Sequence, residues 1–173
     1  EVKYEVVLSG IEDVDGQGEI SVKDLFKSLS ALQQGKGKAD NFAMLRARMN
    51  ADEELMKRIM ASEGYYDAAV DARIERGARD QPIQANVNVM PGIRYNLSSI
   101  RIEHDPTIPP TLVEDNFPLR VGEPIVAERV QGAEASLALR LPENGYAFAE
   151  IGQRDILLDG ATGEGEYMLP VTI

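Results

Sequence analysis

The stretches EGYYDAAVDARI, residues 63–74, and NGYAFAEIGQRDI, residues 144–156, decide how this chain is organised. Each one ends a segment of helical periodicity with a Gly-Tyr pair and continues into an alternating run that is typical of a β-strand. Glycine suits the end of a helix because it adopts positive φ without strain. Two matching segments at corresponding places indicate a structural unit that is repeated.

The first half of the chain predicts the order strand, helix, helix, strand, strand. Alternating apolar residues predict the strands, and apolar residues three and four apart predict the helices. Asp52 interrupts the apolar face of the second helix, so we allow for a kink or a split near Asn50. The predicted elements are a strand at 4–11, a helix at 21–33, a second helix that begins within 39–66 and ends at Gly64, and a β-hairpin at 68–89.

The second half repeats this order after a joint at residues 90–92. The predicted elements are a strand at 95–105, a short helix at 109–117, a longer helix from Pro124 to Asn144, and a hairpin of 150–159 with 165–173. Pro170 lies inside the last strand, and a proline cannot donate a hydrogen bond to a neighbouring strand. A bulge or an early strand end is therefore needed there. The sequence predicts two βααββ domains, residues 1–91 and 92–173.

Composition limits the classes of partner. The chain has 173 residues, 29 acidic against 18 basic, and a formal net charge of −11, so its long-range field repels nucleic acid and anionic lipid. It has no cysteine, which excludes disulfides and thiolate sites. No apolar run is long enough to span a bilayer. Because the chain starts at Glu1 inside a strand pattern, we expect it to be a processed or excised piece.

The phrases RYNLSSIRIEH, VGEPIVAERV and LPENGYAFAEIGQRDILLD, together with the repeated βααββ order, resemble polypeptide-transport-associated (POTRA) domains. The resemblance is closest to the N-terminal POTRA pair of TamA-type translocation and assembly proteins. It implies an α+β fold of two tandem POTRA-like domains, each a three-stranded mixed sheet covered by two helices. It also implies a periplasmic module in a full-length protein that a C-terminal barrel anchors in the outer membrane. Implied partners are outer-membrane polypeptides in transit and other assembly-machine subunits.

The resemblance implies that the second strand of each unit is an exposed edge of its sheet. These strands are Ala69–Glu75 and Ile151–Leu157. An edge strand has unpaired backbone donors and acceptors that can accept an extended segment of another chain. The alternating charges on the first edge keep an unpaired strand soluble, and they equally guard against aggregation. The candidate binding residues are Asp71, Arg73, Glu75, Gln153, Asp155 and Leu157.

An alternative is a calcium-regulated module. DVDGQGEISVKD, residues 13–24, places oxygen-bearing side chains at the spacing of an EF-hand loop. The segment before it alternates like a strand, whereas an EF-hand loop follows a helix. The other interpretation is a polar turn in which Ser21 caps a helix. The ligands in the calcium alternative are Asp13, Asp15, Gln17 and Asp24.

Catalysis is not expected. His104 is the single histidine and lies in a predicted loop, and no serine lies in a nucleophile motif. Neighbouring acidic residues at this density are typical of a solvated face. A hydrolase with paired carboxylates remains a weaker rival, as does a POTRA-like unit of a secretion transporter or division protein. The sequence therefore predicts a binding module without enzyme activity or a cofactor.

Overall fold

The chain is described by a computed structural model over residues 1–14 and 21–173. It forms two compact units, residues 1–61 with 65–93 and residues 62–64 with 94–173. Within the described residues, no helix is both long enough and apolar enough to cross a membrane. The sequence predicted a domain boundary between residues 91 and 92, and this boundary stays a prediction.

The described residues of the first unit form a mixed sheet of four strands with three helices. Its strands are β1 (Val2–Ser9), β2 (Lys38–Ala39), β3 (Ala69–Glu75) and β4 (Ile83–Met90), and its helices are α1 (Val22–Leu29), α2 (Ala31–Gln34) and α3 (Phe42–Ser62). The order across the sheet is β2-β1-β4-β3. β1 and β4 run parallel, and β3 lies antiparallel to β4 at the edge. The strand count corrects the three predicted, because the glycine-rich segment before α3 adds β2 to β1.

One face of this sheet forms the core and the other is polar. Side chains alternate across a strand, so β4 buries Ala85, Val87 and Val89 while Asn86 and Asn88 lie on the opposite face. The buried face packs against apolar residues of α1, α2 and α3. The fully buried members of this core include Phe26, Leu32, Leu45, Met56 and Met60.

The helices differ from the sequence prediction in one respect. The segment predicted as a single first helix is divided at Ser30, which ends α1 and caps α2. α3 is unbroken from Phe42 to Ser62, so the kink or split near Asn50 was wrong. Asp52 accounts for both observations, because its buried carboxylate accepts hydrogen bonds from the Ser30 hydroxyl and the amide of Ala31.

The second unit contains four strands and two helices. Its strands are β5 (Asn96–Glu103), β6 (Glu150–Ile151), β7 (Asp155–Asp159) and β8 (Glu164–Thr172), and its helices are α4 (Leu112–Asp115) and α5 (Ala127–Glu143). β8 is central, with β5 parallel on one side and β6 and β7 antiparallel on the other. The mixed α+β class of both units is the predicted one. The count of three strands is wrong here too, because the predicted edge strand is divided into β6 and β7.

The start of α5 also corrects the sequence prediction. Pro124 does not begin the helix, because it forms a β-bridge with Asn96 at the outer edge of β5. The amide of Leu97 donates to the carbonyl of Glu123 at 2.9 Å, which holds this segment against the strand. α5 begins three residues after Pro124.

The two Gly-Tyr pairs, which follow α3 and α5, have the same geometry. Gly64 and Gly145 have φ angles of 95° and 98°, the left-handed conformation expected at a helix end. The amide of Tyr65 donates to the carbonyl five residues earlier at 2.9 Å, and that of Tyr146 does so at 3.0 Å. The duplicated sequence signal therefore corresponds to a duplicated helix-ending motif.

Candidate binding edges

β3 is a continuous edge strand. All seven of its residues are in register with β4, from Ala69 opposite Met90 to Glu75 opposite Gln84. Among the described residues, no strand pairs with its other side. The observed range is the one predicted from the sequence. β3 therefore presents unpaired backbone groups along its full length to any strand that approaches.

The predicted residues of this edge lie on the polar face of the sheet. The Nε of Arg73 lies 2.8 Å from a carboxylate oxygen of Asp71, and Glu75 follows on the same face. Both members of the ion pair are largely exposed, so the pair contributes little to stability. These charges leave the backbone of the edge accessible and make its outer face soluble.

A row of amides on β4 lies beside these charges and was missed from the sequence. Gln84, Asn86 and Asn88 line a shallow depression of about 400 Å³ together with the β3 charges. The side-chain oxygen of Asn86 is buried and has no hydrogen-bond partner among the described residues. The alternation in PIQANVNV predicted a strand, and its polar positions could have indicated this row.

The opposite side of β3 carries apolar side chains near the start of α3. Val70 is buried, and Ala72 and Ile74 pack against the core of the first unit. Phe42, the first residue of α3, is 41% exposed, and the guanidinium of Arg76 lies 4.7 Å from its ring centroid. A strand added to β3 would therefore have a polar face and an apolar face available to it.

The predicted edge of the second unit is interrupted. β6 ends at Ile151, opposite Val171, and β7 begins at Asp155, opposite Met168. Residues 152–154 therefore lie opposite only residues 169–170 of β8, and three residues opposite two form a bulge. The amide of Gly152 donates to the carbonyl of Pro170 at 2.8 Å, and the proline has no N–H to return. The continuous edge predicted over Ile151–Leu157 was wrong for this reason.

The candidate residues of the second edge are accordingly separated. Gln153 lies in the break, Asp155 is the first residue of β7, and Leu157 is 66% exposed within β7. Bulges of this kind are a common protection of sheet edges against strand pairing. The two predicted edges are therefore different in kind, one continuous and one broken.

A charged cluster holds the break in place. Both guanidinium nitrogens of Arg154 that face Glu134 lie 2.6 Å from its carboxylate oxygens. The hydroxyl of Tyr167 donates to the same carboxylate at 2.6 Å. Burial, with the bonded Glu134 carboxylate adding to it, raises the pKa of the Tyr167 hydroxyl. The cluster ties the bulge to α5 and β8, and nothing in the local sequence around residue 154 indicates it.

The calcium alternative rests partly on residues 15–20, so Asp15 and Gln17 lie outside the described residues. Asp24 is in the first turn of α1, and its amide donates to the Ser21 hydroxyl at 3.2 Å. Ser21 is thus the predicted helix cap. Over the described part of the chain, no group of three or more carboxylates and imidazoles is placed to hold a metal ion.

His104 joins the end of β5 to α4. Its Nε2 lies 2.8 Å from a carboxylate oxygen of Glu114, and its Nδ1 lies 2.7 Å from the carbonyl oxygen of Asp105. Burial alone would lower the pKa of His104, but the bonds to Glu114 and Asp105 outweigh it and raise the pKa. The arrangement is that of a structural link between two elements.

Solved structures that are similar to the chain include two of BamA. One is POTRA3-5 of BamA from Haemophilus influenzae, at 16% identity and a TM-score of 0.53, covering 98% of this chain and 65% of that one. The other is BamA from Haemophilus ducreyi lacking POTRA domains 1-3, at 19% identity and a TM-score of 0.56, covering 99% and 29%. This chain thus spans less than two thirds of either. No protein-family model and no curated protein matches the sequence. The chain has the fold of two POTRA domains in tandem.

Proposed function

We propose that the chain is a protein-binding scaffold of an outer-membrane protein assembly or translocation machine, and that it binds extended segments by strand addition. The observation that carries this proposal is the continuous, unpaired edge of β3 over Ala69–Glu75. Backbone pairing requires no particular side chain, so one edge can accept many unfolded sequences. The POTRA fold and the sequence phrases quoted above support the choice of machine.

The setting and partners belong to the same proposal. The module lies in the periplasm, in a full-length protein anchored by an outer-membrane barrel, and it acts on polypeptides in transit or on other subunits. Within this class the sequence phrases favour a TamA-type machine. The chain binds without catalysis and without a cofactor.

β3 is the principal acceptor in this proposal, and β7 is secondary. A strand that pairs with β3 gains up to seven residues of regular ladder, whereas the break around Gln153 limits pairing at β7 to five residues. We expect weak binding at either edge, because a flexible partner loses conformational entropy when it is ordered.

The test is amide hydrogen exchange measured by NMR on this chain with a synthetic peptide. The peptide copies an amphipathic barrel strand, about ten residues of alternating apolar and polar side chains. Binding should slow the exchange of alternate β3 amides, because only every second N–H of an edge strand points outward. The amides of β7 should change less. Equal protection at both edges, or none at β3, would refute the proposal.

A matched variant separates backbone pairing from side-chain recognition. Replacing Asp71, Arg73 and Glu75 together by alanine leaves the β3 backbone in place, so we expect the peptide dissociation constant to change by less than about threefold. Loss of binding in this variant would show recognition by side chains instead. Sedimentation of the same variant tests whether the charges also prevent self-association, as expected for an edge strand.

A further inference from the structure

The opposite edge of the first sheet is also partly unpaired. β2 covers β1 only at Val2 and Lys3, and the amide of Tyr4 donates to the Gly37 carbonyl at 2.9 Å. The amides of alternate residues point to the same side of a strand, so those of Val6 and Leu8 point toward this edge as well. No described residue forms a hydrogen bond with them from that side.

A groove runs beside this free part of β1. Two adjoining hollows of about 300 and 390 Å³ share Val6 and Gln33, and lie between the strand and helices α1 and α2. The apolar surface of the groove comes from Val6 and Leu8, which are only partly buried, over the fully buried Phe26 and Leu32. The groove therefore offers unpaired backbone groups and apolar surface together, as a strand-binding groove requires.

The charge of this groove is opposite to that of the chain. Among the residues that the structure describes, Lys23, Lys27 and Lys36 line it together with one carboxylate, that of Glu5. Among the described residues none of the three ammonium groups has an ion-pair partner. Five of the six lysines of this acidic chain precede residue 39, namely Lys3, Lys23, Lys27, Lys36 and Lys38. The groove is thus a local basic site on a protein of net charge −11.

We propose that the free edge of β1 and its lysine-lined groove bind an acidic extended segment of a partner protein. Such a segment adds to β1 beyond Tyr4, accepts and donates backbone hydrogen bonds at Val6 and Leu8, and directs its carboxylates toward Lys23 and Lys27. Its other face covers Val7, which is partly exposed on the open face of the sheet. Charge complementarity gives this edge a specificity that the mixed charges of β3 lack.

A protein segment fits the groove better than other polyanions. The net charge of the chain repels nucleic acid and anionic lipid over distances beyond the groove. Neither ligand forms a backbone ladder with unpaired N–H and C=O groups. This proposal does not depend on strand addition at β3, because the two edges belong to different strands.

The probe is a synthetic peptide of about ten alternating valine and glutamate residues, with a valine-lysine peptide of equal length as its counterpart. We expect the acidic peptide to slow amide exchange at Val6 and Leu8. Glu5 and Val7 serve as internal controls, because their amides already point toward β4. Binding should weaken as NaCl is raised from about 0.05 M to about 0.5 M.

The lysines are tested by charge reversal. The dissociation constant of the acidic peptide should rise about threefold in each of the variants Lys23→Glu, Lys27→Glu and Lys36→Glu. It should rise about 30-fold in the triple variant if the effects add. Lys57→Glu on α3 is the matched control and should leave binding unchanged. All these side chains are at the surface, so the variants are expected to fold.

The outcomes separate this proposal from its rivals. Unchanged exchange at Val6 and Leu8, or equal binding of the lysine peptide, would overturn it. So would lysine-dependent binding of a single-stranded oligonucleotide with the affinity of the acidic peptide. Protection that appears at β3 instead would overturn the β1 proposal while leaving strand addition at β3 intact. Loss of protection at β3 alone, with β1 still protected, would leave this proposal standing.

Discussion

Gly10 ends β1 at a point where no other residue fits. Its φ is 91°, and a β-carbon there would lie 1.8 Å from the carbonyl oxygen of Val89 in β4. The atoms that a β-carbon would meet here are all backbone atoms of Val89, so no flexible side chain could move aside to make room. The position illustrates how one residue sets the approach of a turn to the central strand.

Gly10→Ala should lower the free energy of unfolding by at least about 2 kcal/mol, because the new methyl group adds a clash to an unfavourable φ. Urea denaturation followed by circular dichroism measures the change. Gly132→Ala is the control, since Gly132 lies in α5 with nothing within 4 Å of a built β-carbon. That change should stabilise by about 0.5–1 kcal/mol, as alanine favours a helix. A Gly10→Ala chain as stable as the native one would contradict the packing described.

Asp52 is a second residue whose role depends on distant partners. It is 1% exposed and accepts hydrogen bonds from Ser30, from the amide of Ala31 at 2.7 Å and from that of Leu32 at 3.2 Å. Its position on an apolar helix face predicted a break in the helix. The hydrogen bonds that explain its burial join Asp52 to residues 20 to 22 positions earlier in the chain. The periodicity of the sequence carries no information about contacts at that separation.

We expect Asp52→Ala to destabilise the first unit by about 3 kcal/mol, because several buried donors lose their acceptor together. Thermal and urea unfolding give the magnitude. Glu54→Ala, at an exposed position of the same helix, should change stability by less than about 0.5 kcal/mol. Equal effects of the two substitutions would show that the carboxylate does not hold α1 and α2 against α3.

At the scale of elements, the cluster of Arg154, Glu134 and Tyr167 fixes the break between β6 and β7. The side chains of Arg154 and Glu134 are 36% and 15% exposed, so the carboxylate is largely shielded from water. Arg154→Ala leaves it without its cation and should cost about 1–2 kcal/mol, because the arginine is partly exposed and Tyr167 still donates to the carboxylate. Arg140→Ala is the control, because its pair with Glu143 is at the surface and should cost less than about 0.5 kcal/mol. Similar losses in the two variants would argue against a structural role for the cluster.

The link between β5 and α4 predicts a dependence of stability on pH. The pKa of His104 is raised in the folded chain, so the folded state holds this proton more tightly than the unfolded state. The resulting stabilisation is fully present below about pH 6.5 and is lost as pH rises through the raised pKa. Urea unfolding over this range measures it. Glu114→Gln removes the charged partner and should flatten the profile, and an unchanged profile would contradict the link.

Over the whole molecule, local sequence patterns predicted which helices and strands form better than they predicted where each one begins, ends or divides. The Gly-Tyr pairs and the range of β3 could be predicted because helix ends and strand alternation are local signals. Pro170 predicted a bulge or an early strand end, and the structure has the bulge. That the bulge divides the edge at residues 152–154 could not be predicted, since this depends on the pairing of distant strands and on Glu134 in α5. The lysine-lined groove likewise requires β1 and α1 to be brought together by folding. Candidate sites that combine distant residues therefore needed the structure.

Strand addition at β3 is the central claim, and disulfide mapping tests it most directly. These 173 residues contain no cysteine, so Arg73→Cys introduces a single thiol into this chain. An unfolded outer-membrane polypeptide carrying one cysteine at successive positions is the partner, with Gln153→Cys as the control site. The account predicts disulfide yields from residue 73 that alternate with a period of two along the partner. Yields without alternation, or higher yields from residue 153, would contradict it.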